Sequence, residues 1–394
     1  MNFKYQANIL DDHVARFVTT TTVTDNTTYS KVVWENEYAV NQLYKSIVID
    51  EDGNKAVQFT NGSGDIILLR KISQDDENAD TYYVYNEFNQ LAYIIPPKAV
   101  MDFFNAYGTG SNVEVPDFIL NDLCYQYRYD GVNRLVEKSF PEKGWQYMVY
   151  DKQNRLVLAQ DANLGVAKQW MFTKYDQFSR IVYKGIYTSA QVYGSQGRVF
   201  EQNTLNTFTN NNTLRQASIG FNNAGMEVYY PANTSYPNVN FKLLSVNYYD
   251  FYPPYSFNPA PPPNAVADNI ADVNNTKGLG LLTLIKNIEN DDWTKNYSYY
   301  DMKGREIGTY SINHLGGYTS TESVLDFSGA VKQTIVKHKR LNTDTERIIK
   351  ETFEYDSQNR LLVHKHKVDN NTEEVLTQNT YNEISQLSSK KSEG

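Results

Sequence analysis

The chain holds a single cysteine, Cys124, among its 394 residues. One thiol excludes an internal disulfide and any zinc site that needs two thiolates. It fits the cytosol, and equally a bacterial exoprotein that folds without bridges. No run of about 18 apolar residues occurs, so a membrane-spanning helix is excluded. The start, Met1-Asn2-Phe3-Lys4-Tyr5, lacks the apolar core of a signal peptide. Basic residues are the minority, 37 Lys and Arg against 46 Asp and Glu, for a formal net charge of -9. They form no long stripe, so neither phosphate-driven nucleic-acid binding nor docking on an anionic membrane is expected. Apolar residues make up only 40%, and mean hydropathy is -0.58.

Aromatic residues are abundant, and 32 Tyr against 18 Phe carry most of them. Tyrosine suits a half-buried strand, with an apolar ring and a polar tip. Many Tyr, Thr, Asn, Val and Ile residues predict an all-β chain with frequent turns.

One motif recurs: Tyr-Asp, two variable residues, then Gly, Asn or Ser, then Arg and an aliphatic residue. Clear copies start at Tyr129-Asp130 with Arg134, Tyr150-Asp151 with Arg155, Tyr175-Asp176 with Arg180, and Tyr355-Asp356 with Arg360. A fifth, Tyr300-Asp301 with Arg305, has Glu306 in the aliphatic slot. Tyr85-Asn86 and Tyr381-Asn382 open weaker copies in which Gln90 and Gln386 replace Arg. Leu325-Asp326 keeps only Asp and Gly329, and Thr60-Asn61 to Ile66 is more degenerate still. A period of about 20 to 50 residues marks stacked repeats. Each copy reads as a β-hairpin: Asp starts the turn, and Gly, Asn or Ser takes the left-handed position. Arg is expected to pair with Asp and to lie on the ring of a neighbouring Tyr.

These residues resemble the RHS/YD-repeat family, which includes insecticidal toxin-complex shells and teneurins. Leu123 to Asp130, Pro141 to Asp151, Thr81 to Tyr85 before Ile95 to Ala99, and Val246 to Asp250 before Lys277 to Leu279 look like large RHS proteins of Bacteroidetes-type bacteria. The resemblance spans roughly Tyr44 to the end. It implies a sheet that spirals into part of a hollow β-cage. It further implies a structural shell segment of a secreted or cell-surface protein, enclosing or presenting a C-terminal toxin or effector domain outside this chain. The implied partners are the rest of the same polypeptide and, beyond it, secretion machinery or a shell partner. The start and the end, Ser388 to Gly394, read as cuts through a longer chain. The alternative is a surface adhesion or glycan-binding protein, with Trp145, Trp170 and Trp293 as stacking candidates.

Along the chain, residues 1–120 read as an N-terminal β region with degenerate repeats, and 121–190 as regular repeats. Residues 191–296 read as a repeat-free insertion holding a polyproline-like or mobile Pro-rich surface loop, Pro253 to Asn264, and 297–394 as regular repeats. The only short helices are expected within residues 97–104 and 115–124.

Other chemistry-bearing residues have bland readings. Asp50-Glu51-Asp52-Gly53-Asn54 starts like a calcium loop, but Lys55 and Asn61 break the pattern, so it reads as a hairpin turn. His364 and His366 share a strand face without a third ligand, and His13, His314 and His338 stand apart. The acidic run Asp75-Asp76-Glu77 with Asp80 reads as a solvated loop. Gly278-Leu279-Gly280 lacks the third glycine of a dinucleotide loop. Cys124 reads as packing. No catalytic residue, metal or cofactor is expected, and the chain does not read as an enzyme.

Overall fold

The computed structural model describes residues 2–72, 78–108, 112–259, 270–272, 275–287 and 291–392. The protein is all-β, and 22 strands pair in one antiparallel ladder that does not close. Two compact units divide the chain. The first is Met1–Met171 with Thr188–Thr209, and the second is Phe172–Tyr187 with Asn210–Gly394.

In the first unit the strands Asn2–Ala7, Tyr44–Ile49, Lys55–Thr60, Ile66–Ile72, Asn78–Tyr85 and Leu91–Ile95 pair in that order. The order continues through Tyr125–Tyr129, Leu135–Phe140, Gly144–Tyr150 and Leu156–Gln160. A separate sheet of Ala15–Thr24, Thr27–Glu37 and the short Val113–Glu114 packs with it. Phe59, Leu68, Tyr82 and Ile95 form the core with Val32, Trp34, Phe103 and Ile119.

The helices Pro97–Tyr107 and Asp117–Leu123 lie where expected. Each follows a proline that presets the entry, and the first stops at Gly108, whose φ is +63°. Two further helices, Ala162–Val166 and Ser195–Asn206, correct the expectation of only two. Ser195–Asn206 follows Gly194 and has no side-chain cap, and it buries Arg198 and Glu201 along with Leu205, so an apolar stripe could not announce it.

In the second unit the ladder runs Ile181–Thr188, Phe241–Tyr249, Gly280–Lys286, Trp293–Tyr300, Glu306–Ile312 and Gly316–Leu325. It goes on through Val331–Leu341, Arg347–Tyr355, Leu361–Val368, Glu374–Tyr381 and Leu387–Lys391. The register shifts between Lys184 and Gly185. A Cβ at Gly185 would lie 2.0 Å from the Lys242 carbonyl oxygen, so only glycine fits there. Phe241–Tyr249 and Gly280–Lys286 are full members of the ladder, which corrects the repeat-free reading of 191–296.

The described part of the Pro-rich stretch packs down: Tyr255 is buried and stacks on Phe257 at 4.4 Å. That corrects the expected mobile surface loop as far as Pro259. Residues 260–269, with Pro261, Pro262 and Pro263, and the acidic run Asp75-Asp76-Glu77 lie outside the described residues. Asp80 is paired with Arg70 at 2.7 Å. No helix among the described residues is long and apolar enough to cross a membrane.

Candidate functional site

Each motif copy is a closed hydrogen-bonded turn. At Asp130 the backbone N–H donates to the Arg134 carbonyl (2.9 Å), and the Asn133 N–H donates to the Asp130 carbonyl (2.9 Å). Asn133 has φ +65°, the left-handed value that a bulged hairpin needs. The Asp130 carboxylate accepts from the N–H groups of Val132 and Arg134, and from Arg134 Nε at 2.7 Å. The same bonds recur at Asp151–Arg155, Asp176–Arg180, Asp301–Arg305 and Asp356–Arg360. The bonds received from Arg360 hold the half-buried Asp356 carboxylate below the usual range.

The weaker copies keep the geometry with other atoms. Asn86 Nδ2 donates to Gln90 Oε1, and Asn382 Nδ2 to Gln386 Oε1. Asn61 Nδ2 donates to Asp65 Oδ2 at 3.0 Å. Asp50 and Asn54 make the same turn, with Gly53 at φ +87°. The Asp50 carboxylate is therefore engaged inside its own turn, and Asn54 heads the causes that lower its pKa.

Bonds between hairpins follow one rule. The Tyr hydroxyl donates to the carbonyl of the slot after Arg in the preceding hairpin. Tyr129 reaches Leu91 and Tyr150 reaches Leu135 in the first unit. In the second unit Tyr249 reaches Ile181, Tyr300 reaches Gly280, Tyr355 reaches Val331 and Tyr381 reaches Leu361, all at 2.9–3.0 Å. Arginine reaches forward: Arg134 donates to the Asp151 carbonyl, and Arg305 to that of Asp326. Arg134 lies 5.1 Å from the Tyr150 ring, Arg180 4.5 Å from Tyr249 and Arg360 4.7 Å from Tyr381. Tyr175 also offers its carbonyl to the Thr213 N–H at 2.8 Å.

Tyr249-Asp250 is a copy that the sequence hides. Residues 251–277 stand where two variable residues are usual, and Gly278, at φ +87°, takes the left-handed slot. The Asp250 N–H still donates to the Leu279 carbonyl, and Gly278 N–H to the Asp250 carboxylate. Leu279 supplies no guanidinium, so Asp250 takes both terminal nitrogens of Arg180, each at 2.8 Å. That bond lowers the Asp250 pKa. Gly278-Leu279-Gly280 thus closes a turn and is no dinucleotide loop.

A polar cluster pins the helix Ser195–Asn206 to the first unit's sheet. Glu137 is fully buried and accepts from Arg128 (2.9 Å), Arg198 (3.0 Å) and Ser195. Arg198 also donates to Thr27, on the packed hairpin. Arg128 lies 3.8 Å from the Trp145 ring and 4.6 Å from that of Tyr29. Every charge here has a partner, so the cluster reads as a clamp. In the second unit Lys174 is fully buried, donates to the Ala232 and Ser235 carbonyls at 2.9 Å, and lies over Tyr183 and Phe241. Burial pushes its pKa down to about 7.

Cys124 is buried, and burial pushes its thiol up to about 12, so the thiolate that chemistry needs is disfavoured. Trp170 and Trp293 are buried and offer no face to a sugar, and Arg128 lies over the half-buried Trp145 ring at 3.8 Å. His364 stacks on Phe353 at 4.5 Å and meets Glu351 at 3.2 Å. No group of three metal-ligating side chains occurs among the described residues. A cavity of about 250 Å³ lies between successive turns, lined by Asp301, Met302, Lys303, Arg305 and Phe327.

These observations define a class of protein: an antiparallel array of stacked hairpins in which turns are bonded to the next. No family model matches the chain, and no curated protein matches it. Among solved structures it is similar to the crystal structure of TcdB2-TccC3-Cdc42, at 10% identity and TM-score 0.38, over 95% of this chain and 18% of that one. It is similar to TcdB2-TccC3-TEV at 10% identity and TM-score 0.35, over 99% and 21%. TcdB2-TccC3 gives 12% identity and TM-score 0.32, over 95% and 17%. The chain thus spans about a fifth of the length of these structures.

Proposed function

We propose that the chain is a wall segment of a secreted or cell-surface shell of the RHS/YD-repeat kind, in a large protein of the Bacteroidetes type. The wall encloses or presents another polypeptide domain and carries out no chemistry of its own. Its partners are further repeats of the same polypeptide, the enclosed domain, and secretion machinery or a second shell protein. The observation that carries this reading is the tyrosine bond between hairpins. A hydroxyl from one hairpin satisfies the backbone of the one before it, so adding repeats extends a wall without leaving polar groups bare. The motif resemblance supplies the rest of the reading.

The test is protease protection in the natural full-length protein. A domain enclosed by the wall resists a broad-specificity protease until the wall is opened by denaturant. Cleavage of that domain at the rate of an unprotected chain, with the repeats still intact, would overturn the reading.

A further inference from the structure

One face of the second unit's sheet changes character along the ladder. Directly paired residues share a face. One row runs Tyr248, Leu282, Tyr297, Tyr310, Ser320, Lys337, Ile348. The next runs Tyr299, Gly308, Glu322, Ile335, Lys350, Lys367. Up to Tyr297 the face is an aromatic floor under a cover: Tyr230 stacks on Tyr248 at 5.2 Å, and Tyr252 lies 6.2 Å from Tyr297. From Val331 onward no described residue covers it, and its chemistry turns to lysine.

Lys337, Lys339, Lys350, Lys365, Lys367 and Lys391 all lie on this face. Glu322 answers Lys337 at 3.6 Å, and Glu354 answers Lys365 at 2.7 Å. Lys339, Lys350, Lys367 and Lys391 form no ion pair among the described residues. Lys350 and Lys367 stand directly opposite each other, a pairing of like charges that weakens a sheet. Ile335, Ile348 and Val363 lie between the lysines, half-buried.

We propose that this bare face is the seat of an acidic polypeptide surface, in which Asp and Glu alternate with aliphatic side chains. The lysines ask for anions, and the β-branched residues between them ask for an apolar complement that a phosphate or sulfate chain does not carry. On the strands Val331–Leu341, Arg347–Tyr355 and Leu361–Val368 this face bears no aromatic ring to stack a base or a sugar. Its cations are lysines, point charges without the planar fork that grips phosphate bidentately. The inference concerns the partner's chemistry and stands apart from the wall reading.

The test titrates the full chain with poly-L-glutamate, heparin and oligo-dT at low and at physiological salt. Lys350→Glu with Lys367→Glu is compared with Arg340→Glu plus Lys390→Glu, an equal charge change off this face. Far-UV circular dichroism checks both folds, and Lys350→Thr with Lys367→Thr gives a milder second variant. Poly-L-glutamate is expected to bind, to weaken with salt, and to lose about tenfold or more in affinity only when Lys350 and Lys367 are changed. No binding, equal losses in both charge-reversed variants, or dependence on Lys350 and Lys367 for heparin or oligo-dT alone would overturn the proposal.

Discussion

Asp130 does the work of a backbone: it satisfies the N–H groups of Val132 and Arg134 while holding the Arg134 side chain. Removing it leaves those donors short and a half-buried guanidinium without its carboxylate. Asp130→Ala is expected to cost about 2–4 kcal/mol in urea unfolding, whereas Asp130→Asn with Arg134→Gln, the pair that Asn86 and Gln90 already form, costs less than about 1 kcal/mol. Lys174 gives a pH dependence of the same sign as a carboxylate whose pKa falls on folding, but in an alkaline window. Its pKa falls from 10.5 to about 7 on folding, so between those values the unfolded chain holds more protons. Stability of the second unit therefore rises as pH goes from about 7 to 9.5, by up to about 1.4 kcal/mol per pH unit, before the buried tyrosines begin to matter. Lys174→Met removes that slope, which unfolding curves at the two pH values detect.

At the scale of the hairpin, the turn is the element that the whole array repeats, and the interrupted copy tests how self-sufficient it is. Replacing residues 251–277 with Ser-Gln, together with Leu279→Arg, rebuilds an ordinary turn on Tyr249-Asp250. The strand content is expected to be kept by circular dichroism, while the loss of Tyr252 bares Tyr297 and Tyr299 to a dye that binds apolar surface. The turns with Asp and Arg were legible in sequence because their charges recur at fixed offsets. Asn61–Asp65 was nearly lost, and Asp50–Asn54 was read only as a plain turn, because an amide can replace either charged partner without changing the bonds. Asp250 was hidden because its partner glycine lies 28 residues on, at Gly278, and its arginine comes from the preceding turn. The helix Ser195–Asn206 was missed for a related reason, since what seats it is Arg198 on Glu137 rather than an apolar stripe. Arg198→Ala leaves Glu137 short of a partner in a buried site and is expected to cost about 3 kcal/mol, seen as a lower melting temperature.

At the scale of the whole molecule, stability is a sum of hairpins and the bonds between neighbours. Within the second unit the covered strands should therefore outlast the bare ones. Hydrogen exchange is expected to be slower at Phe241–Tyr249 and Trp293–Tyr300 than at Arg347–Tyr355 and Leu361–Val368, whose side chains are only half-buried. Uniform protection along the ladder would mean that the cover contributes little. An array built this way is extended by repetition. The most direct measurement is a cryo-EM map of the natural full-length protein. The account predicts that this ladder continues into further strands as one wall of a closed β-shell with ordered or diffuse density inside; an open, empty array with its covered face turned to solvent would contradict it.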